Sequence, residues 1–324
     1  MELTIIYDSG IPYLAETILQ NWRRVRIIPL KSEEIDASAV READVLIIRT
    51  RTRIDASLLA GSRVQLVCTA TIGFDHIDIA YCESHGIQWM SCPGCNAQAV
   101  CDYIEEALDE YSPFAHSLAD YSPLTLGIVG VGHVGSRVAQ MAQRKGYQIL
   151  LNDPPKEIGV SLDEIAQKCD IITFHVPLDT TTYHLCNTHF LDRCKPDALI
   201  INASRGGVVD EKALLCSGHP FILDTWENEP DIYPDVLRKA FRASMHIAGY
   251  SVEGKRNASQ MCLDAIARHF QLPPVSLLSE NKMERGDSAP GWLERLTLKL
   301  KADINSVESP AAHFEQLRKA YLLR

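Results

Sequence analysis

No stretch of the sequence approaches the roughly 20 consecutive apolar residues that a membrane helix requires. The start, MELTIIYDSG, lacks the basic segment, long apolar segment and small-residue cleavage site of a secretory signal. Positive charge is also short: 32 Lys and Arg face 42 Asp and Glu, a net charge of −10. That balance argues against a nucleic acid or an anionic membrane as the main partner, so any phosphate must be met by a local group of cations. There is no internal repeat and no low-complexity tract, which excludes solenoids and disordered arrays. The 10 cysteines in 324 residues fall at irregular spacing, without the density of a disulfide framework. Reduced, mostly buried thiols and a cytoplasmic location are the expectation. Beyond CPGC, no cluster of His, Cys and carboxylate has ligand spacing, so no metal is expected.

What is present is alternation. LTIIYD, RVRIIPL, DVLIIRT, VQLVCTAT and IQWMSC are short apolar runs with helix-compatible stretches between most of them. After the long helical pattern AQAVCDYIEEALDEYS, a second series begins with LTLGIVG, YQILLND, DIITFHV, ALIINAS and FILDTW. Near-continuous apolar strands separated by helices predict an α/β protein with doubly wound parallel sheets, buried on both faces. An apolar fraction of 46% over this length can build two such domains. The expected division is 1–93, completed by a returning helix over about 253–271, then a nucleotide-binding unit over 94–252 and a short C-terminal region, 272–324. That last region reads as loop-rich until helical character resumes at FEQLRKAYLLR.

LGIVGVGHVGSRVAQMAQRKGYQILLND carries the strongest local signal. Gly130, Gly132 and Gly135 form GxGxxG directly after a predicted strand and at the opening of a helix, with His133 and Val134 between them. The first glycine permits a tight turn, the second lets backbone approach a pyrophosphate, and the third allows close helix packing. Free amides at the helix start then meet the phosphates. Asp153, ending the next strand, can accept from ribose hydroxyls, and its charge repels a 2′-phosphate, which favours NAD over NADP.

In open parallel sheets, ligands sit beyond the carboxyl ends of the strands. Three such ends carry polar groups of complementary type: Arg205 in INASRGGVVD, Asp224 and Glu229 in DTWENEP, and His246 in SMHIAGY. Arg205 can grip a carboxylate bidentately, His246 can exchange a proton near neutral pH, and Glu229 can orient and support the imidazolium. Beside a nicotinamide, these groups suit oxidation of a 2-hydroxy acid.

At these residues the chain resembles the D-isomer-specific 2-hydroxyacid dehydrogenase family. ATIGFDHID, PGCNAQAV, GIVGVGHVG, TFHVPL, INASRGGVVD, DTWENEP, HIAGYSVEGK and the terminal FEQLRKAYL carry the likeness over nearly the whole chain. The resemblance implies two Rossmann-like domains, a small C-terminal dimerisation appendage, a homodimer, NAD as cofactor and a phosphorylated hydroxy acid as substrate. It places the catalytic roles on Arg205, Glu229 and His246. It adds cofactor contacts at Val176, Asp224 and Gly249, and substrate contacts at Thr50, Thr71 and Tyr250. A different phosphorylated 2-hydroxy acid, or an NAD-sensing binding protein that retains the trio, stays open as an alternative. The chain stops sooner after FEQLRKAYLLR than the resemblance leads one to expect.

A substrate phosphate needs cations. IIRTRTRI alternates Arg49, Arg51 and Arg53, which share one side of an extended segment; Arg49, adjoining Thr50, is the one assigned to substrate. Lys255 and Arg256 read as helix surface, and a terminal cation, Arg318 or Arg324, is a hypothetical reach to a neighbouring subunit's phosphate. His76 reads as a turn histidine, and His175 as either packed or lining the cofactor site. CPGC at 92–95 offers a competing redox-thiol reading, against which Cys95 belongs to the PGCN motif and is explained without it.

Overall fold

The computed structural model describes residues 2–118, 123–277, 289–304 and 310–322. The chain divides into two compact units, residues 1–96 with 251–284, and residues 97–250 with 285–324.

The first unit is built on five strands: β1 (Leu3–Asp8), β2 (Val25–Leu30), β3 (Val45–Ile48), β4 (Leu66–Thr69) and β5 (Gln88–Met90). They form an all-parallel sheet in the order β2-β1-β3-β4-β5. Every residue of β3 is fully buried, which explains why VLII has no polar alternation. Helices α1 (Leu14–Asn21), α2 (Ala56–Leu59) and α3 (Ile79–Ser84) connect the strands.

In the second unit the strands are β6 (Thr125–Val129), β7 (Gln148–Asp153), β8 (Ile158–Gly159), β9 (Ile171–Phe174), β10 (Leu199–Asn202), β11 (Phe221–Leu223) and β12 (Arg242–Ala243). The helices around them are α4 (Ala97–Leu118), α5 (His133–Arg144), α6 (Leu162–Lys168), α7 (Thr188–Leu191), α8 (Glu211–Ser217) and α9 (Pro234–Lys239). α10 (Val252–His269) returns to the first unit. Ala258, Cys262, Leu263 and Ile266 form the stripe that it buries beside Ile5, Val45 and Cys68. Ser251 caps it by accepting from the Gly254 amide at 2.9 Å.

The second sheet runs β12-β11-β10-β9-β6-β7-β8 and is parallel except for β8. Strand order reverses between β6 and β9, so the chain departs in opposite directions from their carboxyl ends and leaves a crevice there, where such sheets bind ligands. The glycine motif begins at the end of β6. β8, two residues long, has no signature in the sequence, because a run this short carries no periodicity, while β12 is the short strand expected before SMHIAGY.

α11 (Trp292–Ile304) and α12 (Pro310–Ala320) complete this unit. The sequence reads as loop-rich up to FEQLRKAYLLR, whereas 292–304 is helical and buries Trp292, Leu293 and Leu300 in the main core. Thr297 Oγ1 also accepts from the Ala243 amide at 2.9 Å, covering part of the exposed edge that β12 would otherwise present. No helix among the described residues is long and apolar enough to cross a membrane.

Candidate active site

At the end of β6, Gly130 has φ +91°, and a Cβ there would lie 2.8 Å from the His175 carbonyl. A Cβ on Gly135 would lie 2.0 Å from the Gly130 oxygen, so helix α5 can approach the strand only through glycine. Gly132 is different. Its φ of −85° suits any residue, and a Cβ there would meet nothing within 4 Å. The protein's own packing does not demand glycine at 132; the open space before it fits a bound pyrophosphate, with the first amides of α5 as donors.

Asp153, buried at the end of β7, accepts from the Val131 amide through Oδ2 at 2.8 Å and so holds the glycine loop in place. Lys156, which the sequence reading did not single out, donates to the Val131 carbonyl at 2.8 Å and stands 3.5 Å from Asp153 Oδ2. His133 is exposed at the helix start, while Val134 is half-buried. Val176 lies against Gly130, its Cγ1 2.9 Å from where a Cβ would be. Burial pushes the His175 imidazole down to about 3, so it is neutral, with Nε2 3.1 Å from Thr173 Oγ1. An open glycine cradle, a helix start and a carboxylate at the next strand end together fit a dinucleotide.

The three catalytic candidates follow three neighbouring strands, Arg205 after β10, Glu229 after β11 and His246 after β12. Asn202 shapes the first turn: its Oδ1 accepts from the Ser204 amide at 3.1 Å and its Nδ2 donates to the Arg205 carbonyl at 2.8 Å. A Cβ on Gly206 would sit 1.9 Å from the Trp226 carbonyl, so glycine lets the Arg205 turn close onto the turn that bears Glu229. Glu229 Oε1 accepts from the Trp226 amide at 2.8 Å, and Oε2 lies 2.7 Å from His246 Nδ1. His246 is not a core residue: a third of its side chain is exposed (33%). Its φ of +58° places a non-glycine residue in the left-handed region, at a cost of about 1–2 kcal/mol.

Asp224 holds that conformation. Its Oδ1 accepts from the Ile247 amide at 2.7 Å and from Ser244 Oγ at 2.6 Å, and its Oδ2 accepts from the Ala248 amide at 2.9 Å. Its carbonyl accepts from the His246 amide at 2.7 Å. The sequence reading gave Asp224 to the cofactor. Its carboxylate, 1% exposed, is bonded to the Ser244 hydroxyl and to the two amides that follow the histidine, so Asp224 also positions the His246 loop. Gly249 and Tyr250 follow in the same loop, both half-buried. The Tyr250 hydroxyl accepts from Arg318 Nε at 3.1 Å, so Arg318 of α12 is engaged within its own chain; Arg324 lies outside the described residues.

In the first unit, Arg49 donates through Nε and Nη2 to the two oxygens of Asp8, at 3.0 and 2.8 Å. Asp8, which no sequence motif picked out, is thereby the organiser of that strand end. The expected alternation of arginines does not hold, because β3 ends at Ile48 and residues 50–52 turn. Arg53 forms an exposed pair with Asp55 at 3.1 Å. Thr50 is exposed, and Thr71 Oγ1 donates to the Gly73 carbonyl at 3.0 Å and lies 2.7 Å from Thr69 Oγ1. His76 Nε2 joins the same chain at 3.1 Å from Thr69 Oγ1.

Cys92 and Cys95 are buried, with both thiols pushed up, Cys95 to about 12. A working redox pair needs an accessible thiolate, and this environment opposes it. His184, Asp210 and Glu227, from three separate segments, bring ligand atoms within 4.8 Å of one another, a grouping that sequence spacing did not reveal. His184 Nε2 lies 2.8 Å from Glu227 Oε1, and the set reads as a hydrogen-bonded contact between turns.

Residues 104–254 match the family model described as D-isomer specific 2-hydroxyacid dehydrogenase, NAD binding domain. Erythronate-4-phosphate dehydrogenase of Bacteroides fragilis is 43% identical over 99% of this chain and 97% of its own length. The enzyme of that name from Pseudomonas fluorescens is 37% identical over 93% of this chain and 80% of its own. Among solved structures, NAD-bound 3-phosphoglycerate dehydrogenase of Entamoeba histolytica shares the fold, with a TM-score of 0.69 and 23% identity over 84% of this chain and 96% of that one. With a glycine cradle at the switch point, a histidine–glutamate pair on adjoining strand ends and relatives this similar over nearly their full length, the chain belongs to the D-isomer-specific 2-hydroxyacid dehydrogenases and carries their NAD-binding domain.

Proposed function

We propose that this chain oxidises 4-phospho-D-erythronate at C2 to 3-hydroxy-2-oxo-4-phosphooxybutanoate, a step in making pyridoxal 5′-phosphate. The observation that carries the reading is the 2.7 Å contact between His246 Nδ1 and Glu229 Oε2, in a chain 43% identical to an erythronate-4-phosphate dehydrogenase.

When bound, NAD supplies the hydride acceptor, with Gly130, Gly132, His133, Val134, Gly135, Asp153, Val176, Asp224 and Gly249 as the residues that hold it. The chain's own groups handle the proton and the charge. Because Nδ1 is engaged by the carboxylate, the tautomer protonated there leaves Nε2 with a lone pair for the substrate hydroxyl proton. Glu229 then stabilises the imidazolium by direct ion pairing. Arg205 donates through Nη1 to the Ser204 carbonyl at 2.8 Å, which steadies the guanidinium while its remaining N–H groups take the substrate carboxylate and oppose charge on the developing carbonyl. Arg49, Thr50, Thr71 and Tyr250 are the further substrate residues in this reading. In this reading the protein is a cytoplasmic homodimer, and light scattering tests the dimer.

The deciding assay follows NADH formation with 4-phospho-D-erythronate and 3-phosphoglycerate side by side, in wild type and His246→Asn. The reading expects turnover of the first substrate and a fall of roughly 10²- to 10⁴-fold in the variant. Preference for 3-phosphoglycerate would reassign the substrate, and no hydride transfer with either would favour an NAD-sensing binding protein.

A further inference from the structure

Lys255 stands in the first turn of α10, at a position the sequence reading left to the helix surface. The structure half-buries it, and its ammonium has neither a hydrogen bond nor an ion pair with the described residues. The nearby charge acting on it is a second cation, Arg49; burial, then that repulsion, holds its pKa below the ordinary lysine value. Its place at the start of an 18-residue helix is a third disadvantage, since the macrodipole there favours negative charge.

Asp8 does not relieve the pair. Its Oδ1 accepts from the Gly10 amide at 2.8 Å as well as from Arg49, and its Oδ2 accepts from Ser32 Oγ at 2.6 Å as well as from Arg49. Arg49 is pinned by that fork, and its Nη2 would lie 2.3 Å from a Cβ on Gly10, so a side chain at residue 10 would push the guanidinium from its place on Asp8. Nη1 of the fixed guanidinium makes no bond to the described residues. The chain thus spends desolvation, like-charge repulsion and an unfavourable helix end to keep two cations beside one fully committed carboxylate. A missing anion resolves all three costs at once.

We propose that Lys255 and the free edge of Arg49 form the phosphate subsite, taking the terminal phosphate monoester of the substrate within the first unit. A phosphate carries close to two negative charges and three strong acceptors, which match an ammonium, a guanidinium edge and the unpartnered amides at a helix start. The assignment rests on the proposed function for the identity of the phosphate ester, and it adds Lys255 as a specificity-determining residue.

The test uses full-length protein as wild type, Lys255→Met and Lys255→Arg, with matched thermal unfolding as the folding check. Calorimetric titration with inorganic phosphate is expected to show binding to wild type, a loss of about 10- to 100-fold in Lys255→Met and substantial recovery in Lys255→Arg. In turnover, the ratio of kcat/KM for 4-phospho-D-erythronate to that for D-erythronate should collapse by a similar factor in Lys255→Met. An unchanged phosphate affinity, or a retained ratio, overturns the subsite. If wild type oxidises no phosphorylated acid, the functional reading fails, while the phosphate titration still decides the subsite.

Discussion

Replacing Glu211 by glutamine tests whether the turn beneath the His246–Glu229 pair carries a stored electrostatic cost. Glu211 is fully buried; its Oε1 accepts from the Glu227 amide at 2.7 Å and its Oε2 has no partner. Burial first, then the charges of Glu227, Glu229 and Asp210, raise its pKa from 4.5 to about 7. The folded protein therefore holds this proton more tightly than the unfolded chain does. Its contribution to stability is complete below about 4.5 and is lost as pH rises through about 7. At 1.36 kcal/mol per pH unit, the loss is about 3 kcal/mol. Glutamine keeps the carbonyl acceptor for Glu227 and cannot ionise, so the variant should gain about 3 kcal/mol on wild type between pH 4.5 and pH 8. Guanidinium melts followed by tryptophan fluorescence at the two pH values read this directly. A difference between variant and wild type that stays constant within about 1 kcal/mol would refute the buried-carboxylate argument.

Gly132→Ala should weaken NAD binding by about 10-fold or more while shifting the melting temperature little, because its Cβ meets no protein atom within 4 Å; equilibrium fluorescence titration with NADH checks this. Asp224→Ala strips the acceptor from the Ile247 and Ala248 amides and should cost about 3 kcal/mol or more in denaturant melts, with kcat falling as His246 loses its setting. Glu229→Gln retains a group able to bond His246 but removes the counter-charge, so kcat should fall about 10²-fold with KM little changed, as steady-state kinetics would show.

Much of this was legible because parallel strands buried on both faces have to be apolar throughout. IITF, LIIN and VLII declare themselves, and the residues just beyond them, such as Arg205, inherit a place at the ligand end of the sheet. GxGxxG was readable for the same local reason, since its glycines answer to one turn and one helix start. What escaped the sequence depends on segments far apart meeting in space. No motif shows that the oxygens of Asp224 accept from the amides of Ile247 and Ala248, two residues on a different turn. Lys255 looked like a surface residue because nothing in HIAGYSVEGK tells that Arg49 is its neighbour. His184, Asp210 and Glu227 come from three turns with no common period.

Asp224 fastens its neighbours through their backbone amides and makes no demand on the identity of those residues. Codons 247 and 248 are therefore free to drift only among apolar side chains of comparable bulk, as their burial in the core requires, and proline is barred at both for a separate reason, because it brings no N–H. A saturation library selected for growth should display that tolerance pattern, permissive to shape-preserving swaps and closed to the imino acid.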